Sequence, residues 1–303
     1  MDRVVVTGAG GFVGYHLAKR LLEQESHVIG IGQRETDLVK RLKRFQKFDF
    51  RLADLRIAEQ VEQALLEPVE VVYHLAGQPA VWFANAHPGE DLEANIKGTV
   101  NILERMRAIG GGRLVFSSTG EVYNSACGTE EDSPLEPANF YGLSKLMAEH
   151  YIKLYSKLFS LRYTILRFSL IYGPYFNRNV VFDIIRGLTK GDEVVLRTSI
   201  DSAYDLLFID DALEAVLQAS CKQWDNQVVN ISQGSATPVK DILEASASIL
   251  DIERKAKVNI VENETVNKVY TNGRALELGW QPVYSFEDGL KRTIEWWITG
   301  NGN

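Results

Sequence analysis

Apolar residues along the first half of the chain follow two alternating periods. Val4-Val5-Val6 is a short β-branched run ending in glycines, and Leu17, Leu21 and Leu22 then recur at helical spacing. Val28-Ile29-Gly30-Ile31 predicts a second strand, Phe48-Asp49-Phe50-Arg51-Leu52 a third, and Val69 to Leu75 a fourth. Residues 90–109 predict a helix, Leu114-Val115-Phe116 a fifth strand, residues 140–159 a helix, and Tyr163 to Phe168 a sixth strand. Strands alternating with helices imply an α/β chain built on a parallel, doubly wound sheet. Strands in such a sheet are covered on both faces, and these runs are nearly continuously apolar, as that burial requires.

From about residue 171 the pattern loosens, with turn signals at Gly173-Pro174, Gly191-Asp192, Gly234 and Pro238. Residues 285–298 predict a helix: Ser285 can cap it with Asp288 three residues on, and Phe286, Leu290, Ile294 and Trp297 share one face. The expected organisation is an α/β domain over residues 1–170 and a smaller α/β domain over residues 171–303, interleaved with the first. A ligand crevice is expected at the carboxyl ends of the strands.

Composition narrows the function. The formal net charge of −7 gives no electrostatic reason to expect nucleic acid or an anionic membrane as partner. No apolar run approaches a membrane span, and the N-terminus lacks the pattern of a signal peptide. Cys127 and Cys221 have neither metal-ligand nor redox spacing, as suits reduced thiols in a cytoplasmic protein. The five histidines are scattered, and no metal site is expected.

Two features carry chemistry. Thr7-Gly8-Ala9-Gly10-Gly11-Phe12-Val13-Gly14 follows a strand and opens a helix, which is where a pyrophosphate needs backbone N–H donors and no side chains. Its spacing is G-x-x-G-x-x-G; the commoner dinucleotide fingerprint would need glycine at Val13. An acidic residue at the end of the second strand would hold a ribose 2′-hydroxyl, but that place is Gly32, followed by Gln33 and Arg34. This favours NADP over NAD, although Glu35 or Asp37 can still reach the ribose. Asp54, after the third strand, can face the adenine. The second feature is Tyr141-Gly142-Leu143-Ser144-Lys145, which puts a phenol and an ammonium one helical turn apart. A nearby ammonium is expected to lower the tyrosine pKa, so that the phenol can exchange a proton with a hydroxyl or ketone while a nicotinamide exchanges hydride.

With Phe116-Ser117-Ser118-Thr119-Gly120-Glu121-Val122-Tyr123 these motifs resemble the extended short-chain dehydrogenase/reductases, in particular the nucleotide-sugar epimerases, dehydratases, decarboxylases and 4-ketoreductases. Further marks are Asp54, His74-Leu75-Ala76-Gly77, Asn95 with Gly98-Thr99, Arg167 to Pro174, Phe208-Ile209-Asp210-Asp211 and Leu278 to Pro282, so the resemblance spans nearly the whole chain. It implies a Rossmann-type sheet and a homodimer formed through the tyrosine-bearing helix. Leu146, Met147, Tyr151, Leu154 and Leu158 are available for that seam, or for internal packing. It implies Tyr141 as acid/base, Lys145 as its partner and Thr119 as the hydroxyl that orients substrate. Glu121 occupies a place where dehydrating members carry a base, although Gly120 cannot supply the acid that often precedes it. Cofactor contacts are implied for Gly8, Gly11, Phe12, Val13, Gly14, Gln33, Arg34, Asp54, Leu55, Leu75, Ala76, Gly77, Asn95, Ser117, Tyr141 and Lys145. Substrate contacts are implied for Gln78, Ser118, Thr119 and Ser169.

The substrate half departs from the family. An arginine that usually binds the diphosphate is Tyr204 here, and a basic position before Thr271-Asn272-Gly273-Arg274 is Asn267-Lys268. Arg178 and Arg197 remain as phosphate ligands, since a guanidinium suits a diphosphate. The expected activity is hydride transfer at C4 of a nucleotide-activated hexose. Glu121 points toward a dehydratase and the Gly32–Arg34 stretch toward an NADPH-consuming ketoreductase. A dehydrogenase of a small non-nucleotide substrate and a non-catalytic cofactor sensor are the competing readings.

Overall fold

The computed structural model describes residues 3–124, 128–176, 178–190, 193–252, 257–262 and 265–301, without the side chains of the last two. Cys127 and the Gly191-Asp192 turn lie outside the described residues. The chain divides into two compact units. The first comprises Met1–Asn124, Glu131–Arg167 and Leu213–Val229; the second comprises Ser125–Glu130, Phe168–Ala212 and Asn230–Asn303.

The central strands are β1 (Arg3–Thr7), β2 (His27–Gly32), β3 (Phe48–Leu52), β4 (Val71–His74), β5 (Arg113–Thr119) and β6 (Arg162–Phe168). The chain continues through β7 (Leu170–Tyr172), β8 (Glu193–Leu196), β9 (Ala203–Phe208) and β10 (Gln227–Ile231). One seven-stranded sheet has the order β10-β6-β5-β4-β1-β2-β3, in which β1 runs parallel to β2 and β4, β2 to β3, and β4 to β5. The order reverses between β1 and β4. β4 is shorter at both ends than its apolar run, and past its carboxyl end the Ala76 N–H donates to the Thr7 hydroxyl at 3.1 Å, not to a strand backbone.

The helices of this unit are α1 (Phe12–Glu23), α2 (Asp37–Leu42), α3 (Ala58–Ala64), α4 (Val81–Ala86), α5 (Pro88–Leu92), α6 (Gly98–Ile109) and α7 (Phe140–Phe159). The helix expected over residues 90–109 is two helices joined by a π turn at Glu93–Lys97. Such wide turns collect at functional sites, and this one carries Asn95. α7 has the predicted bounds. Its N-cap is Asn139, whose side chain accepts the Gly142 N–H at 2.8 Å. Its inner face is buried through Leu146, Ala148 and Ile152, so Leu146 packs internally and does not belong to an exposed seam. Leu143, Tyr151, Leu154 and Leu158 do face outward.

In the second unit β9 lies at the centre of a small sheet, antiparallel to β11 (Ala236–Pro238) and parallel to β7; β8 pairs with β12 (Lys257–Ile260). Two sequence marks meet here. The Trp280 indole N–H donates to the Asp211 carbonyl at 3.2 Å, and the Asp211 carboxylate accepts the Val283 and Tyr284 N–H groups at 2.9 and 3.1 Å. They hold the entry to the final helix, Phe286–Trp296, whose cap is Ser285 as expected, with the Asp288 N–H at 3.1 Å from its hydroxyl. No helix among the described residues is long and apolar enough to cross a membrane.

Because Asn139 both caps α7 and donates to the Glu121 carboxylate at 2.8 Å, Asn139→Ala should destabilise the protein by about 1–2 kcal/mol. Urea denaturation checks this; an unchanged midpoint would mean the cap carries no weight.

Candidate active site

The glycine loop is shaped by what cannot fit in it. Gly8 has φ +70°, a left-handed conformation that side chains disfavour, and the Gly11 N–H donates to its carbonyl at 2.8 Å. A Cβ on Gly14 would lie 2.1 Å from the Gly8 oxygen. Phe12 and Val13 begin α1, and no side chain caps that helix. A bare loop leading into an uncapped helix N-terminus fits a dinucleotide pyrophosphate. At the neighbouring strand ends, the Gln33 amide donates to Asp54 at 3.0 Å, and Arg56 clamps the same carboxylate through two nitrogens at 3.0 and 2.6 Å. Arg56 above all holds the Asp54 carboxyl down, at about 2. Arg34 is exposed, and Leu55 is buried.

His74 connects the loop strand to the next turn. It is fully buried, and its Nδ1 and Nε2 lie 2.8 Å from the Thr7 hydroxyl and 3.0 Å from the Thr99 hydroxyl. The Thr99 hydroxyl donates its proton to the Asn95 carbonyl at 2.6 Å. It can therefore only accept from the ring, which places the histidine proton on Nε2. Thr7 then donates to Nδ1 while accepting from the Ala76 N–H. Burial, reinforced by the Lys145 charge, pushes His74 down to about 3, so the ring is neutral at ordinary pH.

Asn95 is a hub. Its Oδ1 accepts the Gln78 N–H at 2.8 Å, and its Nδ2 donates to the Gln78 carbonyl, Asp91 and the Ser144 hydroxyl at 3.1, 2.9 and 3.0 Å. Asn95 thus shapes the Leu75-Ala76-Gly77 turn, and a Cβ on Gly77 would lie 2.6 Å from its oxygen. The Gln78 side chain is itself spent on Ala80 and Asp91, and the Ser117 hydroxyl donates to the His74 carbonyl at 3.3 Å.

Thr119 ends β5, while Tyr141 and Lys145 stand on the first turns of α7. The structure brings the first two together: the Thr119 hydroxyl hydrogen-bonds the Tyr141 phenol, and it also accepts the Glu121 N–H at 3.2 Å. The Lys145 Nζ lies 4.1 Å from the Phe116 ring centroid. Burial lowers Lys145 to about 7, against the opposing pull of Glu149 and Asp91. The expected lowering of Tyr141 is corrected here. Burial pushes the phenol up, Glu121 and Asp91 push the same way, and the Thr119 hydrogen bond is the opposing influence. Ser118 faces away from Thr119's partners and donates to Glu149 at 2.5 Å.

The remaining positions lie in the second unit. Ser169 is buried beside the Asp205 carboxylate, which burial raises to about 6 although it accepts the Gln233 and Gly234 N–H groups at 2.8 and 3.2 Å. The Tyr204 hydroxyl donates to Thr198 at 2.9 Å, and Arg178 and Arg197 are exposed. Sequence reasoning gave no role to Asp91 or Glu149. Both are carboxylates on helices, and only their burial around Lys145 marks them.

A family model described as the NAD dependent epimerase/dehydratase family matches residues 4–232. The chain belongs to that family. It is an enzyme with the family's Rossmann-type fold. A Methanocaldococcus jannaschii protein provisionally named a UDP-glucose 4-epimerase is 31% identical, over 98% of this chain and 99% of its own. The crystal structure of UDP-glucose 4-epimerase with UDP-glucose from Thermotoga maritima aligns with a TM-score of 0.91 at 29% identity, covering 99% of each chain. That of a Bacillus cereus UDP-glucuronic acid 4-epimerase, in complex with UDP-glucuronic acid and NAD, aligns at 0.90 and 25% identity, covering 98% of this chain and 99% of the other.

The neutral His74 makes a prediction for stability. An unfolded histidine takes up a proton near 6.5, whereas the buried ring resists until about 3, so stability is lost as pH falls from 6.5 toward 3. Between pH 6.5 and 5 the wild type should lose up to about 1.4 kcal/mol per pH unit more than His74→Gln. Identical slopes in urea titrations would contradict the buried neutral ring.

Proposed function

We propose that this enzyme is a nucleotide-sugar 4-epimerase acting on a UDP-hexose, with NAD bound at the glycine loop and reused in every turnover. The observation that carries this reading is the contact of Thr119 and Tyr141 in the same unit as a side-chain-free loop and an uncapped helix N-terminus. The relatives named for 4-epimerase activity on UDP-glucose and UDP-glucuronic acid support it.

Gly8, Gly11, Phe12, Val13 and Gly14 would hold the pyrophosphate, and Gln33, Asp54 and Leu55 the adenosine end. Bound there, NAD supplies a hydride acceptor and donor and, when oxidised, a positive charge that opposes the cost of a buried phenolate. Tyr141 takes the proton of the sugar 4-hydroxyl and returns it on the opposite face. Thr119 fixes the direction of the phenol, and the Lys145 ammonium stabilises its charged form. Asn95, by fixing the Leu75–Gln78 turn, keeps the floor of the site rigid.

The lean toward NADP rested on Gly32 and Arg34. NAD is preferred here because the similar Bacillus cereus UDP-glucuronic acid 4-epimerase binds NAD in its crystal structure. Glu121 is assigned to the α7 entry, where Asn139 holds it, and not to proton abstraction from carbon. Ser169, Arg178, Arg197 and Tyr204 are proposed for the substrate side; Ser118, implied there by the resemblance, is instead spent on Glu149. The outward row Leu143, Tyr151, Leu154 and Leu158 on α7 is proposed as the seam of a homodimer.

Purified protein should interconvert UDP-glucose and UDP-galactose, or the corresponding uronates, without added reductant, and should release NAD on denaturation. Tyr141→Phe should lower kcat by about 100-fold to 10,000-fold while retaining NAD. A strict requirement for stoichiometric NADPH would overturn the epimerase reading, and an unaffected Tyr141→Phe would overturn the acid/base assignment.

A further inference from the structure

Glu149 lies on α7 one turn beyond Lys145 and is completely enclosed, at 0% exposure, among the helix's buried residues Ser144, Lys145, Leu146, Ala148 and Ile152. Every direction around its carboxylate is used. Oε1 accepts the Ser118 hydroxyl at 2.5 Å and the Arg167 Nε at 3.1 Å; Oε2 accepts the Arg167 Nη2 at 2.7 Å. The Lys153 Nζ stands 4.0 Å from Oε2. Arg167, 1% exposed on β6, continues to the Tyr123 hydroxyl at 2.7 Å and the Glu131 carbonyl at 3.1 Å, with its guanidinium 5.0 Å from the Tyr123 ring centroid.

One carboxylate thus ties the end of β5, the middle of the tyrosine-bearing helix and β6. Ser118 is the residue before Thr119, so the Glu149–Ser118 hydrogen bond fixes the strand end from which the Thr119 hydroxyl reaches Tyr141. Stability alone is a poor reason for such a pair, because a well-packed apolar substitute is often as stable as a buried ion pair. What an apolar substitute could not provide is a negative charge beside Lys145. The groups acting on that ammonium are Glu149 on α7 itself, Asp91 from α5, His74 from β4 and the Phe116 ring from β5, with the Arg167 guanidinium of β6 behind Glu149. His74 is neutral, so Glu149 and Asp91 supply the favourable field.

We propose that Glu149 is a positioning residue for the Tyr141–Lys145 site: it sets Thr119 against the helix through Ser118, and its charge retains the Lys145 ammonium in a buried pocket. This rests on the epimerase reading above.

Two variants separate the halves of the proposal. Glu149→Gln keeps the shape and can still accept from Ser118, but it removes the charge. Lys145 then loses its proton at lower pH, so the limb of kcat that falls as pH rises should move down by about one unit or more. At pH 7, from a starting value of about 7, a one-unit shift costs kcat about fivefold, with KM for the sugar nucleotide within about twofold. Ser118→Ala keeps the charge and removes the strand-end contact, so kcat should fall with the limb unmoved. A limb unmoved in Glu149→Gln, with only a lower Tm, would overturn the charge role. Unchanged kcat in Ser118→Ala would overturn the positioning role. Titration of lysines carrying 13C at Cε needs no substrate and stands apart from the epimerase reading: the Lys145 signal should titrate lower in Glu149→Gln than in wild type. Coincident titrations would overturn the proposal even if the enzyme epimerises sugars.

Discussion

The first unit is organised around an ammonium that has lost its water. Lys145 is buried at the junction of α7 with β4 and β5, and desolvation there outweighs the carboxylates near it, bringing it to about 7. Much of the surrounding structure follows from tolerating that charge. Glu149 and Asp91 face it with the opposite sign. Arg167 meets Glu149 through two nitrogens, so the carboxylate is not itself an uncompensated buried charge. His74, the third titratable neighbour, is kept neutral by burial and by a hydrogen-bond chain running from Ala76 through Thr7 and Thr99 to Asn95. The same chain joins β1, which leads into the glycine loop, to the π turn that carries Asn95. One polar network therefore runs from the glycine-loop strand to the first turn of α7, its last link passing from Asn95 through Ser144 to the Tyr141 carbonyl.

Much of this was legible in the sequence, because parallel strands and long helices leave strong periodic signals. α7 has the bounds that its helical pattern over residues 140–159 predicts; the Asn139 cap that starts it appears only in the fold. The helix over 90–109 was legible as helix but not as a π turn, which depends on where the Thr99 hydroxyl and the Asn95 side chain find partners. Glu149 was invisible for a different reason. At one turn from Lys145 it looks like any helix carboxylate, and only the sheet packed over that face makes it a buried ligand of Ser118 and Arg167. Leu146 was read as serving either a seam or internal packing, and burial decides for the core.

The tyrosine is the clearest physical correction. Spacing alone puts a phenol beside an ammonium and implies a lowered pKa. In the folded chain burial dominates, and Thr119, not Lys145, provides the opposing hydrogen bond. A phenol in that state is a proton donor and acceptor awaiting a charge from its ligand, which suits a site whose chemistry begins only with cofactor and sugar both present. The second unit explains another family mark in structural terms: Asp211 and Trp280 lock the entry to the last helix. The missing arginine is equally concrete, since the Tyr204 hydroxyl that stands in its place is engaged by Thr198.

The central claim is that hydride leaves C4 of the sugar and returns to the same carbon, while Tyr141 handles only the hydroxyl proton. Running the reaction in deuterium oxide and reading the product sugar by proton NMR and mass spectrometry tests this directly. The account predicts a C4-inverted product with protium retained at both C4 and C5, because the hydride never exchanges with solvent. Deuterium at C5 would reveal proton abstraction from carbon, as in a dehydratase, and deuterium at C4 would contradict hydride recycling.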